Sequence, residues 1–178
     1  MTISGTDRAG LRRKADGWAL LPLRLMVGFG FAAHGYAKLA RGPQSFAVIL
    51  RAMEIPAPGA VAWVTSLLEL LGGIALMLGA YVVPFSAPLA AVMVTAMLGV
   101  HLRYGFSSVR LQALTATGAV FGPVGYELNL LYIAALLALA LSRSSPLSVD
   151  RWLEARGKKH PERLPRARFV GGVESEDP

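Results

Sequence analysis

Residues 60–83 read AVAWVTSLLELLGGIALMLGAYVV, a stretch of 24 residues in which Glu69 is the only charged side chain. A helix needs about 20 mostly apolar residues to cross the hydrocarbon core of a bilayer, so this stretch predicts a transmembrane helix. Three more stretches, 18–39, about 85–102 and about 124–141, are similarly apolar. We therefore predict an all-α integral membrane protein, a four-transmembrane-helix antiparallel bundle.

The composition agrees with a membrane protein, since 54% of the 178 residues are hydrophobic and only 16% are charged. Soluble domains carry about 25% charged residues. We predict a basic cytoplasmic segment at 1–17, one membrane domain at 18–143, and a cytoplasmic tail at 144–178. Within the tail, the sequence favours a short helix at 148–156, with Ser148 or Asp150 as its N-cap, and a disordered end after Gly157.

The positive charges predict the orientation of the chain. Twelve of the 18 Lys and Arg residues lie in the two terminal segments, whereas the loops between the first and second spans and between the third and fourth hold four. Because cytoplasmic segments of membrane proteins are enriched in Lys and Arg, both termini are expected in the cytoplasm. The basic residues border apolar spans, so they favour contact with anionic lipid rather than nucleic acid.

The connections between the spans differ. Residues 40–59 mix Pro and Gly with an apolar stretch, which predicts a short interfacial helix before a Pro-rich turn. We expect a similar helix in 103–123. The link at 80–84 is short and predicts a tight helical hairpin. The chain has no cysteine, which excludes disulfides, thiol relays and iron–sulfur clusters.

Ionisable residues from separate stretches are predicted to meet at one level of the bundle. The first and third spans run outward and the second and fourth run inward. The position of a residue within its span therefore predicts its depth in the bilayer. Glu69 shares a helical face with small residues and is expected to point into the bundle. The predicted polar layer consists of His34, Lys38, Glu69, His101 and Glu127, with Asn129 next to it.

Structural roles are the alternatives for most of these residues. Lys38 can reach the interface with water, His101 can cap a helix end, and Glu127 can interact with a helix dipole. Arg24 can reach the inner interface or pair with a carboxylate. Glu69 differs, because a charge at such depth costs at least about 2.5 kcal/mol and must be protonated, paired or functional. His34 and His101 lack metal-ligand spacing, so no metal site is predicted.

Five motifs in order resemble the DoxX family of small bacterial four-helix membrane proteins. They are HGYAKL (34–39), IPAP (55–58), ELLGGIALMLG (69–79), HLRYGF (101–106) and GYELNLLYIAALLALAL (125–141). The segment SPLSVDRWL (145–153) resembles the usual ending of that family. Many members have an Arg soon after the Gly that corresponds to Gly79. This chain lacks that Arg, and Arg24 is the candidate substitute.

The resemblance implies a multi-pass protein of the bacterial inner membrane with a redox role near the quinone pool. Relatives include the membrane subunit of a thiosulfate:quinone oxidoreductase and components of membrane complexes that handle oxidative stress. A quinone is thus the ligand class expected, with a protein partner in a membrane redox complex. Catalysis by the chain itself, the electron donor and homo-oligomer formation stay open.

Three functions follow from these expectations. In the first, His34 and Glu69 donate protons to a quinone and Lys38 stabilises charge. The remaining ligand-binding candidates are His101, Glu127, Asn129 and Arg24. In the second, the chain is a non-catalytic anchor that recruits soluble enzymes. A small-solute transporter is the third and is less favoured, because no repeat is visible in the sequence.

Overall fold

The computed structural model describes residues 18–142, 148–150, 152 and 156, and these residues are mainly helical. The predicted segment 1–17 and the predicted disordered end after Gly157 lie outside the described residues. Within them, the chain forms five α-helices of ten residues or more and one two-stranded sheet. The helices are α1 (Leu21–Ala40), α2 (Pro43–Ala52), α3 (Pro58–Leu78), α4 (Val82–Ala96) and α5 (Glu127–Leu141). The strands are β1 (Leu111–Thr115) and β2 (Gly118–Phe121).

The four long helices α1, α3, α4 and α5 share one apolar core and run antiparallel to their packing partners. The core takes buried side chains from all four: Val27, Phe31, Leu76, Leu89, Leu136 and Leu139. We name the two ends of this bundle by their connections. At the loop end, α1 ends and α3 and α5 begin. At the turn end, α3 ends and α4 begins.

A helix lies at each of the four predicted spans, but these helices differ in their fitness to cross a membrane. Among the described residues, two stretches are long and apolar enough to do so, Pro58–Leu78 and Val82–Tyr104. The second stretch contains α4 and continues it through a π-helical turn and a 3-10 turn. Only 11% of the most apolar part of this stretch is buried within the chain, so most of its surface needs lipid or another protein around it.

The short helix predicted in 40–59 is confirmed. Pro43 starts α2 at a position where a missing N–H is not needed for the helix. Ala47 and Leu50 of α2 pack on Ala62 of α3 in a second small core. This packing holds α2 across the loop end of the bundle.

The helix predicted in 103–123 is wrong, because this loop contains the β-hairpin instead. Strands β1 and β2 pair antiparallel through a two-residue turn, with Thr115 opposite Gly118. Gly118 has φ +129°, a conformation that glycine adopts readily. Every residue of both strands is exposed. Since no face of the hairpin is buried, the sequence shows no alternation of apolar and polar residues that would identify it.

The tight helical hairpin predicted between the second and third spans is confirmed at the turn end. Three residues, Gly79 to Tyr81, separate α3 from α4. Both Gly79 (φ +65°) and Tyr81 (φ +51°) are left-handed, which reverses the chain within this short link.

Candidate functional site

Helices α1 and α3 approach each other closely because glycines line their contact. A Cβ placed on Gly35 would overlap the backbone of Ser66 and Leu70. A Cβ on Gly73 would overlap the backbone of Gly28 and Ala32. Small residues of this kind let two membrane helices pack backbone to backbone. The antiparallel register that follows sets Glu69 of α3 near the level of residue 34 of α1.

Lys38 and Glu69 form an ion pair across this contact. Lys38 Nζ lies 2.6 Å from Glu69 Oε1. Glu69 is 1% exposed, whereas 24% of the Lys38 side chain is exposed. Of the three states expected for Glu69, protonated, paired or functional, the structure shows the paired one. The pair gives this part of the bundle a charged but compensated centre.

The direction of the Lys38 side chain follows from helix geometry. Side chains of an α-helix lean toward its N-terminus, so Lys38 reaches about one turn back along α1, to the level of Glu69. The alternative that Lys38 only reaches for the interface with water therefore explains its position in part. The ring of Phe46 from α2 also lies next to the ammonium, with its centroid 4.3 Å from Nζ. Helix α2 thus covers the ion pair with an aromatic side chain.

The second carboxylate oxygen of Glu69 lacks the hydrogen bond that the first one has. Oε2 is buried, and it accepts no hydrogen bond from any residue that the structure describes. The nearby hydroxyl of Ser66 is committed elsewhere, because it donates to the Ala62 carbonyl at 2.7 Å. A buried carboxylate oxygen without a donor is energetically unfavourable. The site therefore has an unused acceptor.

His34 does not join this pair. Its side chain is exposed, and it forms no hydrogen bond or ion pair within the described part of the chain. The expected His34–Glu69 donor pair is thus replaced by Lys38–Glu69. The helical stripe places His34 one turn before Lys38, but the close contact with α3 uses the neighbouring face that carries Gly35.

His101 and Glu127 hold the loop between α4 and α5 rather than the ion pair. His101 Nδ1 donates to the Val124 carbonyl at 2.9 Å. Glu127 Oε2 accepts from the Ser108 backbone N–H at 2.9 Å. In residues 18–142, neither side chain bonds to Glu69. Both contacts are structural, but they differ from the alternatives weighed, because both partners lie in the loop and not at a helix end.

Asn129 is 5% exposed and links α5 to α4 inside the bundle. Its Nδ2 donates to the Met93 carbonyl at 3.3 Å, a long hydrogen bond. The amide therefore satisfies a backbone acceptor in an apolar surrounding and fixes the pairing of the two helices. It has no described contact with the Lys38–Glu69 pair.

Arg24 belongs to a separate cluster at the turn end. It is 3% exposed, and its guanidinium packs against Gly79 together with Ser148. Asp150 attracts it electrostatically. Asp150 in turn accepts backbone N–H groups from Tyr81 at 2.8 Å and Val82 at 3.2 Å.

Asp150 stabilises the fold in a way that the sequence did not predict. Its carboxylate caps the N-terminus of α4. Ser148 or Asp150 was expected to cap the tail helix, and the described helical residues of the tail begin at Val149, directly after Ser148. The Asp150 N–H also donates to the Gly79 carbonyl at 3.1 Å. Only the Ser-hydrophobic-Asp pattern at 148–150 marks this segment in the sequence, and it does not say which helix the Asp serves.

Residues 19–102 match the DoxX family model. The match over this segment, just under half of the chain, supports a DoxX family assignment. None of the curated proteins and none of the solved structures matches the chain significantly. The DoxX match includes α1, α2, α3 and α4, and therefore both partners of the ion pair.

DoxX proteins are membrane proteins, which accounts for the exposed apolar surface of α4. The DoxX match also contains Arg24, His34 and His101, while Glu127, Asn129 and Asp150 lie beyond its end. Arg24 reaches Gly79, the position after which many DoxX members have an Arg. In the described residues, no three His, Asp or Glu side chains come together to hold a metal ion.

Proposed function

We propose that this DoxX protein is a membrane subunit of a redox system at the quinone pool of a bacterial inner membrane. In this proposal the chain crosses the membrane four times with both termini in the cytoplasm. The Lys38–Glu69 pair is the site that holds the quinone head group. A partner enzyme, which oxidises its own substrate, supplies the electrons.

The observation that carries the proposal is the buried ion pair. Glu69 is almost fully buried in a helix that is long and apolar enough to span a membrane, and it bonds to Lys38 at 2.6 Å. Ionisable groups in such helices are costly and usually serve ion, proton or ligand binding. Helix packing alone does not require them, because the glycine contact between α1 and α3 already joins the helices.

The residues present fit a quinone head group. An ammonium has three N–H donors, and Lys38 gives one of them to Glu69 Oε1. Another can donate to a carbonyl oxygen, and the positive charge stabilises negative charge that develops there. A bound quinone accepts two electrons and two protons. Lys38 can supply one proton, and His34, exposed one turn earlier on α1, is the candidate for the second.

The first test measures which small molecules the protein retains. The chain is purified in a mild detergent, extracted with organic solvent, and analysed by mass spectrometry. We expect a quinone in the wild type and its loss in Lys38→Met and Glu69→Gln. Glu54→Gln is the matched control, since Glu54 is exposed in the link between α2 and α3. No quinone in the wild type, or equal loss in the control, contradicts the proposal.

The second test measures turnover. Membranes that contain the chain at wild-type levels are assayed for quinone reduction with the substrates of co-purifying partner enzymes. Glu69→Gln is expected to lower the rate at least tenfold, because it removes the negative charge that orients Lys38. Glu54→Gln is expected to leave the rate unchanged. An unchanged rate in Glu69→Gln is the result that argues against a quinone site.

A non-catalytic anchor is the second candidate, and the cluster at the turn end favours it. Residues 148–150 are fixed to the α3–α4 turn through Asp150. The basic tail therefore leaves the bundle from a fixed point, as a docking segment for soluble enzymes requires. Pull-down with the intact chain and with a chain ending at Arg143 tests this. Loss of partners on truncation, with no retained ligand, supports the anchor.

A further inference from the structure

The unused acceptor in the candidate site indicates what kind of group the ligand presents. Glu69 Oε2 is buried and accepts no hydrogen bond from the described residues, while Oε1 is bonded to Lys38. A carboxylate oxygen can only accept hydrogen bonds. A ligand group that satisfies Oε2 must therefore be a donor. A quinone carbonyl cannot do this, because it has no hydrogen to donate.

The side chain of Phe46 indicates the shape of the group next to the ammonium. Its ring lies 4.3 Å from Lys38 Nζ and comes from α2, not from the four-helix bundle. Phe46 is only partly buried and packs at the edge of the small core that Ala47 and Leu50 form with Ala62. The ring position is thus one that another aromatic ring can take, with the same attraction to the ammonium.

We propose that the Lys38–Glu69 site prefers the reduced, hydroxyl-bearing form of an aromatic amphiphile, as in a quinol. Its O–H donates to Glu69 Oε2, and its ring replaces Phe46 over Lys38 Nζ. The inference rests on the proposed quinone site and specifies the redox form that this site binds more tightly. A hydroxyl bonded to a carboxylate forms a charge-assisted hydrogen bond, which is stronger than one between neutral groups.

A pair of redox-inactive probes separates the donor from the rest of the ligand. 4-Pentylphenol and 4-pentylanisole share a ring and an alkyl chain, but only the phenol has an O–H. Their affinities are measured by isothermal titration on the protein in lipid nanodiscs, after subtraction of partition into protein-free nanodiscs. We expect the phenol to bind about tenfold more tightly, the effect of one hydrogen bond to a charged group.

Two variants show whether Glu69 causes this preference. Glu69→Gln is expected to reduce the preference to about twofold, and Glu54→Gln is expected to keep it at tenfold. Phe46→Ala leaves the ion pair intact and vacates the ring position, so it is expected to raise the affinity for both probes about threefold. Equal binding of phenol and anisole to the wild type overturns the inference, and this is also the result if water satisfies Oε2.

The outcomes distinguish this inference from the proposed function. If the purified protein retains a quinone but binds the two probes equally, the preference for the reduced form is wrong and the quinone site remains. If it retains no quinone but prefers the phenol through Glu69, the quinone function is wrong and a site for hydroxyl donors remains. An unchanged affinity in Phe46→Ala contradicts the ring replacement alone.

Discussion

Glu69 depends on Lys38 for its charge balance inside the bundle. Replacing Lys38 by Met leaves the carboxylate buried without its cation, so we expect the free energy of unfolding to fall by about 3 kcal/mol. The double variant Lys38→Met/Glu69→Leu removes both charges and should recover most of that loss. The measurement is SDS-induced unfolding in mixed micelles, followed by circular dichroism.

Arg41→Met is the matched control for the Lys38 variant. Arg41 is exposed just beyond the end of α1, and a surface substitution of this kind changes stability by less than about 0.5 kcal/mol. If the double variant is as unstable as Lys38→Met, the ion pair is not what the single substitution disturbs.

Asp150 combines a cap and a charge, and three substitutions separate them. Asp150→Ala removes both the acceptor for the N–H groups of α4 and the attraction to Arg24. We expect it to cost about 1 kcal/mol or more. Asp150→Asn keeps an acceptor without the charge, and Asp150→Ser keeps a shorter acceptor. Equal unfolding curves for the Ala and Asn variants would assign the whole effect to the charge.

Among the helices, the contact between α1 and α3 is the most sensitive to added volume. Gly73→Ala places a Cβ against the backbone of Ala32 and Gly28, which cannot move aside without separating the helices. We expect a loss of about 1–3 kcal/mol. Gly59→Ala, on the same helix, meets nothing within 4 Å and should raise stability by up to about 1 kcal/mol.

Opposite signs for these two Gly→Ala substitutions are the diagnostic result, measured by the same SDS-induced unfolding. A loss in both variants would mean that the change reflects the helix backbone and not the contact with α1. In Gly73→Ala, separation of the helices also lengthens the Lys38–Glu69 distance, so quinone retention is expected to fall with stability.

Apolar runs and loop composition were sufficient to predict the helices and the short α2. A helix that is long and apolar enough to cross a membrane gives a long uninterrupted signal in the sequence. The β-hairpin gave no such signal, because none of its strand residues is buried. The only features that favour a hairpin are Gly118 after Thr117 and the β-branched residues around them. These features are weaker than the apolar character of the segment, which favours a helix.

The site was predicted only in part, for a reason of helix rotation. Small residues around Glu69 predicted its inward direction correctly, since Gly73 packs on α1 and Gly72 packs on α4. Sequence spacing places His34 and Lys38 on one side of α1. A shift of one residue along a helix, however, decides whether a side chain contacts the neighbouring helix or is exposed. Here Gly35 takes the contact with α3 and His34 is exposed. Asp150 contacts residues about 70 positions earlier in the chain, and no pattern in the sequence around Asp150 predicts such contacts.

For the molecule as a whole, the proposed topology depends on α1 and α5, which are not among the helices long and apolar enough to span a membrane, and α5 is the shorter of the two. Its 15 residues give a length of about 22 Å, whereas the hydrocarbon core is about 30 Å thick. A helix this short can cross if the bilayer thins around it or if flanking apolar residues add to its length. Loop 105–126 is bonded to the start of α5, so Val124 to Tyr126 can provide that extension.

The absence of cysteine allows a direct test of this topology. Single cysteines are introduced at Ser45 in α2, at Thr117 in the hairpin turn, and at Val149 beside Asp150, all exposed positions. A membrane-impermeant maleimide should label the first two in cells whose outer membrane alone is permeabilised. Val149→Cys should react only after the inner membrane is opened, because the charge distribution predicts that the termini lie in the cytoplasm. Reaction of Thr117→Cys and Val149→Cys from the same side would mean that α5 does not cross, and that Lys38 and Glu69 lie in a three-span protein.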